Sequence, residues 1–220
     1  MTQLGILLVR RTRCADEGAG AGHGIAAGRA VHARSTNASV RILNDAVSVA
    51  PRAHYFLTSD RLGFRCWSSD DLPLASALWG DKTVTALIGG PFPPAQVAER
   101  LRREIATLDQ YGVQYWPIFL LAGGQHAGCA GLRPYRLEDR VYELGFHLRR
   151  QCWGRGLAEE AGRTMISYAF ESVRAKALFA GHHPENRASQ RVLEKLGFRF
   201  THEELYPPTG RMHSCYLLET

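Results

Sequence analysis

The stretch most able to do chemistry is Gln151-Cys152-Trp153-Gly154-Arg155-Gly156, set between an apolar run, Val141 to Leu148, and a stripe of Leu157, Ala161, Met165 and Ala169 at four-residue spacing. Glycine lacks a Cβ and reaches backbone conformations closed to other residues, so Gly154 and Gly156 allow a sharp turn and a close ligand approach. The first N–H groups of a helix have no partner inside it and sit at the positive end of its dipole. Together these features form a cradle for a phosphate or pyrophosphate, to which Arg150 or Arg155 can add charge. Two elements must hold the cradle. Val141 to Leu148 runs without proline and is rich in apolar and aromatic residues, as a strand within a sheet is. The stripe at 157, 161, 165 and 169 gives the following helix one apolar face.

A second block lies downstream: Pro184-Glu185-Asn186-Arg187-Ala188-Ser189, then Val192-Leu193-Glu194-Lys195-Leu196-Gly197-Phe198. It reads as a helix started by an asparagine and closed by Gly-Phe. A strand followed by Gln-x-x-Gly-x-Gly, with this block after it, resembles the GNAT N-acetyltransferases, and most closely their ribosomal-protein N-terminal acetyltransferase (RimJ/RimL-like) branch. The resemblance runs from about Leu57 to the C-terminus. Thr58 to Leu62 and Trp67 to Asp71 resemble that branch's first strand and the acidic start of its first helix. It implies an α+β fold with a mixed, mostly antiparallel central sheet flanked by helices and acetyl-CoA at the strand-turn-helix. The implied activity is acetyl transfer from acetyl-CoA to a primary amine, either a protein N-terminal α-amine or a small-molecule amine, by direct attack in a ternary complex.

The resemblance also distributes roles. The backbone from Gln151 to Leu157, with Trp153, Gly154, Arg155 and Gly156 between, holds the coenzyme's phosphates. The pantetheine arm pairs like an extra strand near Phe146 to Leu148, where the central strand and the next diverge, and Asn186 binds the same arm or caps its helix. Glu143 is the first candidate for general base, with a salt bridge to a neighbouring strand's arginine as the competing reading. His147 shares its face at period two, and His182 and His183 end the next strand; a histidine titrating near pH 7 would also serve. How strong a base is needed depends on the acceptor. An α-amine of pKa about 8 is roughly one-tenth neutral at pH 7, whereas neutralising a lysine costs about 4.6 kcal/mol. Many GNAT enzymes protonate the departing thiolate with a tyrosine seven residues after the asparagine; here Leu193 stands there. Ser189, three residues after Asn186, matches the serine given that role in the ribosomal branch, with a helix-start residue that does no chemistry as its competing reading. A chain that binds acyl-CoA without turnover, a sensor, is the alternative. The missing tyrosine permits it; the intact turn, Asn186, Ser189 and Glu143 count against it.

At 220 residues and 45% hydrophobic, the chain suits one domain with an appendage. No apolar run approaches the roughly 20 residues that span a bilayer, and Leu4 to Val9 is too short for a signal-peptide core. A cytoplasmic protein without a membrane partner is expected. Five scattered cysteines, Cys14, Cys66, Cys129, Cys152 and Cys215, lack the close pairs of a metal site or disulfide framework. Free thiols and no metal are therefore expected, with Cys152 in the turn open to a reagent that blocks the coenzyme. Of the net charge of +6, residues 1 to 55 supply +4, from seven arginines against three acids. That segment, with its GAGAGHG run, reads as a low-complexity, disordered tail over residues 1–54. A basic arm for RNA, a targeting peptide and a start-site artefact are its other readings. The domain, residues 55–220, makes a weak case for nucleic acid. Its partners are acetyl-CoA and the amine acceptor, and a homodimer is among the assemblies open to it.

The remaining elements follow from pattern. A strand is predicted from Arg61 to Trp67 and a helix from Asp70 or Asp71 to Trp79. A proline-initiated helix runs from Ala95 to Tyr111, with Val97, Leu101, Ile105 and Leu108 as its inner stripe. Tyr115 to Ala122 and His126 to Tyr135 form a hairpin about Gly123-Gly124. Strands follow at Ala177 to Gly181, Phe198 to Glu203 and Ser214 to Glu219. Trp79, Phe92 and Tyr111 are candidates for the acceptor wall, against ordinary aromatic packing.

Overall fold

A computed structural model describes residues 55–220; the expected tail, 1–54, lies outside the described residues. Among these, eight strands form one sheet: β1 (Leu57–Thr58), β2 (Leu62–Phe64), β3 (Tyr115–Leu120), β4 (His126–Arg136), β5 (Val141–Leu148), β6 (Ala177–His182), β7 (Arg199–Tyr206) and β8 (Arg211–Glu219). Their spatial order is β1-β2-β3-β4-β5-β6-β8-β7. Every neighbouring pair is antiparallel except β5 and β6. These two are parallel because a helical crossover joins them, as parallel strands require. The mixed, mostly antiparallel α+β sheet is the one expected.

The helices are α1 (Leu72–Trp79), α2 (Lys82–Thr85), α3 (Pro94–Tyr111), α4 (Leu157–Tyr168, continued by a wider turn over Ala169–Val173) and α5 (Arg187–Lys195). Alternation along the strands divides the core into two layers. Leu144, Leu148, Leu178 and Ala180 pack with Leu157, Ala161, Met165, Leu193 and Leu196 of α4 and α5. On the opposite face, Tyr115 and Cys129 pack with Leu78, Trp79, Val97 and Leu101 of α1 and α3. β5 lies between the layers.

Several expectations shift. The first strand is shorter than predicted, Leu62–Phe64, and is preceded by β1. The four-residue α2 has no periodicity to read; Asp81 caps it by accepting from the backbone N–H groups of Thr83 and Val84. In α3, Val97 and Leu101 are buried as predicted, but the third buried position is Glu104, while Ile105 is only partly buried. A buried carboxylate needs partners, and Glu104 has them: it accepts from the Tyr115 backbone N–H at 3.0 Å and pairs closely with Arg133. Among the described residues, Cys129, Cys152 and Cys215 are buried free thiols. No helix among the described residues is long and apolar enough to cross a membrane.

Candidate active site

The six-residue turn begins with a 3-10 turn, Arg150–Cys152, and ends at Gly156, the N-cap of α4. Gly154 and Gly156 both have positive φ, 70° and 74°. That region disfavours a side chain, and a Cβ on Gly154 would project into open space. No side chain caps α4, so the donors of its first turn are left for a ligand. Gln151, Trp153, Arg155 and Gly156 are exposed around this end, whereas the Leu157 side chain is in the core and offers only its N–H. Cys152 is buried too, and burial pushes its thiol pKa up; that counts against the expected reactivity toward thiol reagents.

A clamp that the sequence reading missed holds the turn. Arg61 donates to the carbonyl of Arg155 at 2.9 Å and forms an ion pair with Glu160 at 2.6 Å. Glu160 also accepts from Ser59 Oγ at 2.6 Å and from the Arg61 N–H at 2.8 Å. Glu159 pairs with Arg163 and Lys195. Both acids are therefore engaged in holding the fold, and negative charge in the first turn of α4 suits the helix dipole.

Pairing between β5 and β6 stops after three residues, Val141 with Ala177, Tyr142 with Leu178 and Glu143 with Phe179. Beyond Glu143, Leu144 to Leu148 have no partner on the β6 side. This is the expected divergence, and Phe146 lies half-buried along it. The Leu148 carbonyl already accepts from the Trp153 indole at 2.8 Å, so the strand's last acceptor is shared with the turn. Across the gap, Asn186 caps α5 by accepting from the Ser189 N–H at 3.1 Å, which leaves its amide N–H groups free. The Ser189 hydroxyl bonds to no described residue. The open strand edge, the space at Gly154 and the uncapped helix are mutually consistent with a ligand that has an extended amide-bearing arm and a phosphate end.

The candidate bases separate clearly. Trp79 Nε1 donates to His147 Nδ1 at 3.4 Å, and indole can only donate. His147 therefore has its acceptor nitrogen occupied, and burial together with Arg100 and Arg133 drives its pKa well below the usual range. His182 is fixed by its contacts to the His183 carbonyl at 2.8 Å and the Tyr216 hydroxyl at 3.2 Å. His183 Nδ1 accepts from the Glu185 N–H at 3.1 Å. Glu143 is different. One oxygen accepts from the Tyr115 hydroxyl at 3.0 Å, and the other receives no hydrogen bond from a described residue.

Tyr115 is held in place around Glu143. Its ring lies over Gly145, where a Cβ would come within 2.1 Å of the hydroxyl. The Arg133 guanidinium sits 4.1 Å from its ring centre. Burial, and then Glu143, raise its pKa well above 10 and keep it a donor. Arg133 stands opposite Glu143 in the β4–β5 register, yet its ion pair is with Glu104. Tyr115, Glu104 and Arg133 were not identified from sequence; the available signal was the carboxylate three residues after Leu101 on an apolar helix stripe.

Of the expected acceptor-wall aromatics, Trp79 is fully buried, Phe92 is half-buried and Tyr111 is exposed at the end of α3. Trp79 and Phe92 both contact the Arg100 guanidinium, at 4.5 and 5.8 Å from their ring centres. The loop after α2 meets the β7–β8 hairpin tip: a Cβ on Gly89 would lie 2.7 Å from the Pro208 carbonyl.

Comparison with known proteins adds the following. The Acetyltransferase (GNAT) domain family matches residues 61–199. An uncharacterised protein of Bacillus subtilis (strain 168), YkkB, is 31% identical over 147 residues, covering 66% of this chain and 86% of its own. The uncharacterised N-acetyltransferase p20 of Bacillus licheniformis is 28% identical over 145 residues, covering 65% and 82%. The fold is similar to that of RimL, a ribosomal alpha-N-protein acetyltransferase solved in complex with coenzyme A. The TM-score is 0.64 at 15% identity, over 73% of this chain and 95% of that one, a likeness of fold.

Proposed function

The chain belongs to the GNAT acetyltransferase family and is an N-acetyltransferase using acetyl-CoA, and we propose that it acetylates a primary amine directly in a ternary complex with Glu143 as general base. Acetyl-CoA supplies an activated thioester. The N–H groups from Gly154 through Leu157, with Arg155 beside them, hold the phosphates. The open edge of β5 along Phe146 to Leu148 and the amide N–H groups of Asn186 hold the pantetheine arm. Gln151 and Trp153 shape the turn, Trp153 by tying it to Leu148. Glu143 accepts the amine proton on its free oxygen while the Tyr115 hydroxyl keeps the carboxylate in place. Ser189 donates to the departing sulfur; a thiol pKa near 8.5 makes that thiolate a tolerable leaving group. Leu193, where many relatives carry a tyrosine, is buried in the core, so Ser189 has no competitor at that position.

One observation carries this reading: the parallel pairing ends at Glu143, so a carboxylate with one oxygen that receives no hydrogen bond from a described residue stands where the strands begin to part. The acceptor is a protein N-terminal α-amine or a small-molecule amine, and the protein acts in the cytoplasm. The test is thiol release from acetyl-CoA against N-terminal peptides, free amino acids, polyamines and aminoglycosides. Turnover with one class is expected. Coenzyme binding without turnover on any class would favour a sensor instead.

A further inference from the structure

The β7–β8 hairpin carries polar groups that acetyl transfer does not use. β7 is the edge strand, exposed along its whole length, so packing does not explain its side chains. A bulge interrupts its pairing: Phe200 faces Tyr216, and the next partner pair is His202 with Cys215. Thr201 and His202 thus share one partner position. A bulge inserts one residue and re-aims the side chains around it. Here it places His202 opposite Cys215, with Glu204 on the same face two residues on. One ligand atom from each of His202, Glu204 and Cys215 lies within 4.8 Å of the other two.

The hydrogen bonds fix the imidazole. Thr201 Oγ1 donates its hydrogen to the Cys215 carbonyl at 3.1 Å, so toward His202 Nδ1, at 3.0 Å, it can only accept. Nδ1 therefore carries the proton, and the lone pair of the neutral ring is on Nε2. Nε2 lies 3.6 Å from a Glu204 carboxylate oxygen. Two acceptors facing each other make a place that a metal cation can fill. Histidines that bind metals usually donate their other N–H in this way.

We propose that His202, Glu204 and Cys215 form a binding site for a thiophilic divalent cation of the Zn2+ class, through imidazole nitrogen, carboxylate oxygen and thiolate sulfur. Nitrogen, oxygen and sulfur together are the ligand set of Zn2+. Tetrahedral bonds of about 2.0–2.3 Å place ligand atoms about 3.4–3.8 Å apart, so the cluster closes by roughly an ångström. The side chains of His202 and Glu204, 52% and 47% exposed, have room to move, while the buried Cys215 stays fixed. The Cys215 thiol donates to the His213 carbonyl at 3.6 Å, so a cation that binds its sulfur displaces that proton to solvent. This departs from the sequence-based expectation of no metal.

The experiment titrates the full-length, tag-free protein with Co2+ and Cd2+. It follows thiolate-to-metal charge-transfer absorption and proton release, then displacement by Zn2+ against a chromophoric chelator. The expected result is one cation per chain with a charge-transfer band. The band should be lost in Cys215→Ser, and affinity should fall at least about tenfold in His202→Ala, an exposed edge position whose folding is checked by circular dichroism. An unchanged band in Cys215→Ser, or wild-type affinity no better than that of folded His202→Ala, would overturn the proposal.

Discussion

β5 separates two faces that satisfy their polar groups in opposite ways. On the α4 side, Leu144 and Leu148 are buried in apolar contacts, and the polar groups nearby are left unmade: α4 starts without a cap, and β5 has no partner on the β6 side beyond Glu143. On the α3 side, Glu104, Arg133, Tyr115, Trp79 and His147 are bonded to other side chains, and among the described residues one Glu143 oxygen and the buried Arg100 Nε are without a hydrogen bond. A surface of unmade donors gains when a ligand fills it. A surface of paired groups instead fixes one residue in position. Binding and proton transfer should therefore be separable by mutation.

The largest effect is expected on the open face. Gly154→Val fills the space above the turn and forces a β-branched residue into a left-handed conformation. Coenzyme affinity should fall by about 100-fold or more, about 2.8 kcal/mol, by calorimetry on a protein with wild-type circular dichroism. Ser189→Ala should lower kcat by about 10- to 100-fold, the worth of a hydrogen bond to a charged group, with acetyl-CoA affinity within a few-fold; an unaltered rate would return Ser189 to the helix start. Arg61→Ala removes the clamp on Arg155 and Glu160. Because Arg61 is half exposed, the expected cost is below about 1 kcal/mol of stability, with coenzyme affinity reduced a few-fold.

A last prediction concerns stability alone. His126, packed against the rings of Trp67 and Phe119, is driven down to about 4 chiefly by burial. The fold favours its neutral form, so its contribution is complete above the unfolded value of about 6.5 and is lost as pH falls toward 4. His126→Phe should flatten that part of the stability profile, as measured by urea unfolding at about pH 7 and pH 4.5.

The parts legible in sequence were those with local signatures. The glycine turn, the α4 stripe, the Asn186 cap and the Gly197 stop each depend on residues close in the chain, and each element formed where expected. The divergence of β5 and β6 came from family resemblance, since nothing local in Val141 to Leu148 states where parallel pairing ends. Arg61 and Glu160 are 99 positions apart, and Tyr115 and Glu143 are 28 apart; such contacts depend on tertiary register. The histidines show the same limit. Their sequence positions made His147, His182 and His183 reasonable bases, and only the partners of their ring nitrogens set them apart from Glu143.

The separation of the two faces is tested most directly by Glu143→Gln, with acetyl-CoA affinity and the pH dependence of single-turnover acetyl transfer measured on one preparation. The account predicts unchanged affinity, a rate lower by about 10²–10⁴-fold, and loss of the acid limb of the wild-type pH profile. A wild-type rate and profile in Glu143→Gln would contradict it.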